Sequence, residues 1–309
     1  MKVLGIESTA HTLGIGIIEY KDKKLKILKN YLKSYKPKEG IIPTEAAEFH
    51  KKSLENFTID EEDIDLIGVA IGPGLPPCLS VGLEFALKFS KGKKIIGVNH
   101  CQSHIEIGKV LTKSVDPVIL YVSGGNTQVI YYNKGYRILG ETQDIGIGNA
   151  IDKLGREIGL KFPAGPKIEK LSKKGKFVML PYSVKGMDLN FSGILTEAKK
   201  KLKTEKIEDI CHSFQEICFA MLTEVTERGL GATGRDEVLL VGGVAQNKRL
   251  REMLKIMCED RSAKFKVVPK KYSGDNGVMI AYTALRNYLN KCFHPADKIR
   301  PNWRIEGIL

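Results

Sequence analysis

The sequence predicts an α/β protein of two lobes arranged around a nucleotide. Three observations predict it. Two apolar strand pairs carry small polar tips, "KVLGIESTAHTLGIGIIEY" (2–20) and "PVILYVSGGNTQVIYYN" (117–133), and a later apolar strand runs through two glycines into a helix, "EVLLVGGVAQNKRLREML" (237–254). Glycine lets a tip adopt positive φ and bring backbone N–H groups close to a phosphate. A helix beginning just after the turn adds the positive end of its dipole. A single glycine turn is common; three in this order and in these strand contexts point to a duplicated nucleotide-binding architecture.

The elements follow in order. Residues 2–9 and 13–20 read as a hairpin around Ser8, Thr9 and Thr12. "EAAEFHKKSLENF" (45–57) reads as a helix, "IDLIGVAIGPG" (64–74) as a buried strand ending in a Gly/Pro turn, "PCLSVGLEFALKFSKGK" (77–93) as a helix, and "KIIGVNH" (94–100) as a strand leading into another helix. After the second hairpin, residues 149–230 are mostly helical, with apolar residues at helical spacing through "IEDICHSFQEICFAMLTEVTERGL" (207–230). "YSGDNGVMIAYTALRNYL" (272–289) is a turn and a final helix. The expected lobes are 1–115 and 116–292, the helical insertion lies in the second, and the tail 293–309 returns to the first.

Bulk properties narrow the class. Of the 309 residues 42% are hydrophobic and 28% charged, an ordinary globular balance. No apolar run approaches the roughly 20 residues of a membrane span. The chain starts directly in a strand without a leader pattern, so a cytoplasmic protein is expected. The cysteines at 78, 101, 211, 218, 258 and 292 form no C-x-x-C pair and read as reduced thiols. A net charge of +13 favours a polyanionic partner, RNA or DNA first, with basic runs at 21–38, 199–206 and 264–271.

Chemistry begins at "NHCQSHIEIGK" (99–109). His100 and His104, four apart, share one helix face, a spacing that suits a metal ion. A zinc protease of the H-E-x-x-H type needs a glutamate after the first histidine, and Cys101 stands there, so that reading lacks its general base. Tyr121 at a strand end and Asp275 in a "GDNG" turn offer oxygen donors, and two imidazoles, a phenolate and a carboxylate suit Fe or Zn. Ser123, Gly124, Gly125 and Asn126 form a close-approach loop. Asp152 sits in a helix after a glycine-rich entry, placed to accept from ribose hydroxyls. Gly165 and Glu169 lie at another helix start, and Asn247 follows the Gly-Gly turn with an amide for a nucleotide.

With these residues in hand, the chain resembles the tRNA adenosine threonylcarbamoyltransferase family in its archaeal and eukaryotic branch, which works inside the KEOPS complex. The pieces that carry the resemblance are "NHCQSHIEIGK", "YVSGGNTQVI", "DIGIGNAIDKLGREIGL", "DLNFSGILT", "VGGVAQNKRL" and "SGDNGVMIA", in order over nearly the whole chain. The resemblance implies an actin-like ATPase (ASKHA) fold, two lobes each with an RNase H-like core. It implies transfer of a threonylcarbamoyl group from threonylcarbamoyl-AMP to N6 of the adenosine 3′ of the tRNA anticodon, with release of AMP. By motif, His100, His104, Tyr121 and Asp275 would hold one divalent metal. Tyr121, Val122, Ser123, Gly124, Gly125, Asp152, Gly165, Glu169 and Asn247 would hold the adenylate, with ATP an alternative nucleotide. The implied partners are tRNA, a small kinase subunit and other KEOPS-type subunits. His11, or a water near Glu7, is the expected acceptor of the N6 proton.

Departures and rival readings remain. The first tip reads "ESTAHT" where bacterial relatives carry Cys-Asp-Glu, Thr44 stands where many relatives have Arg, and the ending "RPNWRIEGIL" matches loosely. An actin-fold ATP-binding scaffold or small-molecule kinase would also explain the glycine turns, but not the histidine pair.

Overall fold

The computed structural model describes residues 1–36, 40–55, 57–58 and 64–309. Residues 37–38 of the basic run and residue 56 of the first expected helix lie outside them. The chain forms two compact units, Met1–Ile107 with Gly274–Leu309, and Gly108–Ser273.

The first unit opens with β1 (Lys2–Glu7), β2 (Thr12–Lys21) and β3 (Lys24–Ser34), followed by α1 (Pro43–Glu55), β4 (Leu66–Gly72), α2 (Pro76–Ser90), β5 (Lys94–Asn99) and the first two turns of α3 (His100–Thr112). β1, β2 and β3 pair antiparallel, and β1, β4 and β5 run parallel. The β3 segment read as a basic run in the sequence. Its lysines alternate with Leu25, Ile27 and other apolar residues, and the alternation makes it an edge strand, where outward lysines also discourage strand addition.

The second unit carries β6 (Val118–Val122), β7 (Thr127–Tyr132), β8 (Tyr136–Glu141), α4 (Ile147–Glu157), α5 (Gly165–Ser172), the two-residue strands β9 (Val184–Lys185) and β10 (Asp188–Leu189), α6 (Ser192–Lys201), α7 (Ile207–Thr233), β11 (Glu237–Val241), α8 (Lys248–Asp260) and β12 (Lys264–Val267). Its main sheet has the order β12-β11-β6-β7-β8, which repeats the β5-β4-β1-β2-β3 order of the first. In both, three antiparallel strands continue into two parallel ones. The duplication read from the strand tips is therefore a duplication of topology. The fold is α/β and actin-like.

The chain then returns to the first unit through α9 (Gly277–Leu289) and the short β13 (His294–Pro295), which pairs with β5. The expected lobe boundary, which left 274–292 in the second lobe, differs from this. The reason is local. Gly5 and Gly16 are register partners in β1 and β2. A Cβ on Gly5 would lie 2.1 Å from the Gly277 carbonyl oxygen, and one on Gly16 would lie 2.2 Å from the Val278 nitrogen. The two glycines form a trough that seats α9 by backbone contact. Sequence adjacency favoured the other lobe, and packing decided otherwise.

Candidate functional site

In the first unit the residues at the carboxyl ends of the strands converge. The i, i+4 spacing puts His100 and His104 on one face of α3, with ring centroids 4.8 Å apart and edge-on. Asp275, one residue before the α9 N-cap Asn276, places Oδ1 3.2 Å from His104 Nε2 and 3.7 Å from His100 Nε2. One ligand atom from each of these three residues lies within 4.8 Å of the others. Behind His100, Glu7 Oε2 is 2.9 Å from Nδ1. The other Glu7 oxygen accepts from the Thr9 backbone N–H at 2.7 Å and from the Thr9 hydroxyl.

The electrostatics follow from burial and pairing. Burial alone would lower the pKa of His100, but the Glu7 carboxylate outweighs it and raises the imidazole to about 9. Burial lowers His104, and its bond to Asp275 only partly offsets that. Burial would raise Asp275, but the hydrogen bond from His104 and the charge of His100 hold it well below the usual carboxylate range. This donor set fits a divalent ion. Two imidazoles and a carboxylate converge, and a second carboxylate holds the far nitrogen of one ring. Glu7 is fully buried with both oxygens engaged. It therefore orients His100. His11 lies partly buried at the β1–β2 tip, near enough to Asp275 for its charge to act there.

The second unit assembles the other expected residues. Tyr121 is the penultimate residue of β6 and fully buried, and Val122 ends the strand. The Ser123–Asn126 turn is closed by the Ser123 N–H donating to the Asn126 carbonyl at 2.8 Å, and it exposes Gly124 and Gly125 at its tip. The turn presses on the start of α4: Gly148 N–H donates to the Ser123 carbonyl and Asn149 N–H to the Gly124 carbonyl. A Cβ on Gly146 would come within 2.4 Å of the Gly124 oxygen. The first N–H groups of α4 thus hold the turn itself. Gly242, at φ +99° and with no room for a Cβ beside Val122, sets the second glycine turn against the same strand end.

Asp152 accepts from the Ala164 N–H at 2.7 Å, which fixes the start of α5 at Gly165. Glu169 accepts from the Lys248 N–H at 3.2 Å. Asn247 caps α8, accepting from Arg249 and Leu250, and its amide donates to Gln215 at 2.9 Å. The structure thus joins Glu169 and Asn247 at the start of α8. The Asn247 side-chain oxygen serves as a helix cap while its amide nitrogen meets Gln215.

The matches to known proteins now bear on this geometry. The family model described as "tRNA N6-adenosine threonylcarbamoyltransferase" matches residues 26–282. The chain belongs to that family. It is 56% identical over 303 residues to a protein of that name from Thermococcus kodakarensis, covering 93% of this chain and 92% of the relative. Another from Archaeoglobus fulgidus is 51% identical over 322 residues, covering 100% and 98%. A "Probable bifunctional tRNA threonylcarbamoyladenosine biosynthesis protein" from Methanocaldococcus jannaschii is 49% identical over all of this chain, which spans 60% of that longer relative. Among solved structures, full-length HypF in a phosphate- and nucleotide-bound form aligns with TM-score 0.61 at 11% identity, covering 93% of this chain and 55% of that one. The activator of the 2-hydroxyisocaproyl-CoA dehydratase from Clostridium difficile aligns at 0.54 and 15%, covering 94% and 97%. These structural likenesses establish the fold.

Some participants escaped the family's motifs as read in sequence. Thr9 holds Glu7, and the pair is two residues apart in "EST", a spacing typical of a hydroxyl turn that could have flagged it. Asp144 accepts from the N–H groups of Ile145, Phe191 and Ser192 and from the Ser192 hydroxyl, tying the entry of α4 to the start of α6. No local signal announces a partner so far along the chain. His50, fully buried on α1, feels the charges of Glu7 and His11, and burial lowers its pKa.

Proposed function

We propose that this chain transfers a threonylcarbamoyl group from threonylcarbamoyl-AMP to N6 of the adenosine 3′ of the tRNA anticodon and releases AMP. The observation that carries this beyond a generic actin-fold ATPase is the convergence of the buried His100 and His104 with Asp275, and of Glu7 behind His100. A kinase of this fold has no need of that group. His100, His104 and Asp275 would hold one divalent metal, Fe or Zn, and the family resemblance adds Tyr121. When bound, such an ion supplies Lewis acidity toward an oxygen of the acyl donor.

The chain's own residues do the rest. The N6 amine is a weak nucleophile because its lone pair is delocalised into the ring, so the donor must be held in line and its leaving group kept good. The exposed Gly124–Gly125 tip allows close backbone approach to the adenylate phosphate, with Ser123 beside it. Asp152, anchored through Ala164, fixes the neighbouring wall at Gly165. Glu7 and Thr9 keep His100 in one orientation, so the donor meets a preorganised site. His11 at the strand tip is the candidate acceptor of the N6 proton. Partner subunits, a kinase among them, and a cytoplasmic setting belong to the same proposal. Relatives named bifunctional and longer than this chain support the partner. Among the described residues no helix is long and apolar enough to cross a membrane.

The test is elemental analysis of untagged protein beside the variant carrying His100→Ala and His104→Ala, followed by transfer of labelled threonine to tRNA. Near one equivalent of metal in the wild type, little in the variant, and transfer only by the wild type are expected. No metal in either protein would overturn the metal site. Metal content of Tyr121→Phe tests the phenolate.

A further inference from the structure

Between α5 and α6 lies a stretch the transfer chemistry does not use, "KKGKFVMLPYSVKGM" (173–187). Its backbone is pinned along α7. The Lys176 N–H donates to Asp209 at 2.6 Å and the Val178 N–H to Ser213 Oγ at 2.7 Å. Gly175 sits so close to α7 that a Cβ would meet the Glu208 carbonyl oxygen at 2.1 Å. The β9–β10 turn at its far end is held by Arg228 on the Gly186 carbonyl. Leu180 points in at 3% exposure, while Phe177 and Met179 point out at 54% and 72%, with the Tyr182 ring at 51% beyond them.

Three large apolar side chains held in water within six residues form a candidate binding surface. Its charge says what binds. Residues 173–187 contain four lysines, all exposed, and no acidic residue. Of the acids beside it, Asp209 accepts from Lys176 N–H, Glu224 takes the Tyr182 hydroxyl and pairs with Arg228, and Glu208 lies next to Gly175. Flat rings between mobile cations suit unpaired nucleotides, whose bases stack on the rings and whose phosphates meet the lysines. A protein partner would more often leave the apolar centre free of lysine.

We propose that 173–187 is a docking strip for unpaired RNA nucleotides, with Phe177 as the stacking platform, Met179 and Tyr182 flanking it, and Lys174, Lys176 and Lys185 on phosphates. This rests on the transferase reading, since it assigns the surface to the tRNA substrate. The experiment uses the full chain and fluorescence anisotropy with tRNA, a short unstructured single-stranded RNA, and a duplex of the same length. Phe177→Ala should weaken single-strand and tRNA binding roughly tenfold while leaving the duplex unchanged. Phe177→Trp should restore it. Lys174→Ala with Lys176→Ala should lower the single-strand salt slope by roughly 0.7 per lost contact. Because Phe177 and Met179 face outward, unchanged denaturation midpoints will certify folding. Unchanged RNA affinity in Phe177→Ala, or equal losses for single strand and duplex, overturns the strip and leaves the transferase reading standing. Failure of the wild type to bind tRNA at all overturns both.

Discussion

At the scale of single residues, Glu7 is a buried carboxylate whose bonds are to Thr9 and His100. It is fully buried, and Thr9 and His100 take both its oxygens. Its work is to fix the His100 ring, leaving Nε2 directed at the Asp275 side. Outer carboxylates of this kind are worth tenfold to a hundredfold in metal affinity. Glu7→Gln keeps the shape and one acceptor oxygen, so we expect about a tenfold to hundredfold loss of metal affinity in a chelator competition titration, with the thermal midpoint little moved. Equal affinity in variant and wild type would make Glu7 a core residue only. The sequence reading placed a proton-accepting water near Glu7, and the burial of Glu7 is a property of the fold that no local motif shows.

At the scale of elements, Asp144 joins two helices that are far apart in sequence. Burial pushes its carboxyl up, but the hydrogen bonds from Ser192, Phe191 and Ile145 outweigh it and hold the pKa at about 2, against an ordinary 3.8. A depressed folded-state value means the stabilisation is complete above about pH 4 and is lost as pH falls through 2. Asp144 is solvent-exposed, so after allowance for screening the contribution is about 1 kcal/mol. Asp144→Asn should therefore unfold at lower urea than wild type at neutral pH, and the gap should close by about pH 2. A gap independent of pH would show that shape, not charge, holds α6.

At the scale of the whole molecule, charge is the dominant feature. A net +13 over 309 residues makes association with RNA an electrostatic process that releases counterions. The tRNA affinity of the full chain should fall linearly in a log–log plot against salt, with a slope of roughly −0.7 to −0.9 per phosphate contact. A flat plot would mean the basic runs are only solvated faces. The same runs teach a caution. "KLKILKNYLKS" is a strand edge and "KFKV" a second one, so two of the three runs owe part of their lysines to sheet architecture.

The duplicated strand tips, the i, i+4 histidines and the glycine turns were legible in the sequence because each is a local pattern. Period, small residues and spacing act within a few residues of one another. From them the sequence by itself determined the α/β class, the duplication and the candidate metal-binding pair. Only the tertiary structure decided what depends on partners distant in the chain. Asp275 reaches His104 across 171 positions, and α9 returns to the first unit because Gly5 and Gly16 leave it a trough. Asn247 spends its side chain on a helix cap, and Phe177 faces water because α7 pins the backbone beside it. Close packing and hydrogen-bond satisfaction are long-range constraints, and no window of sequence contains them.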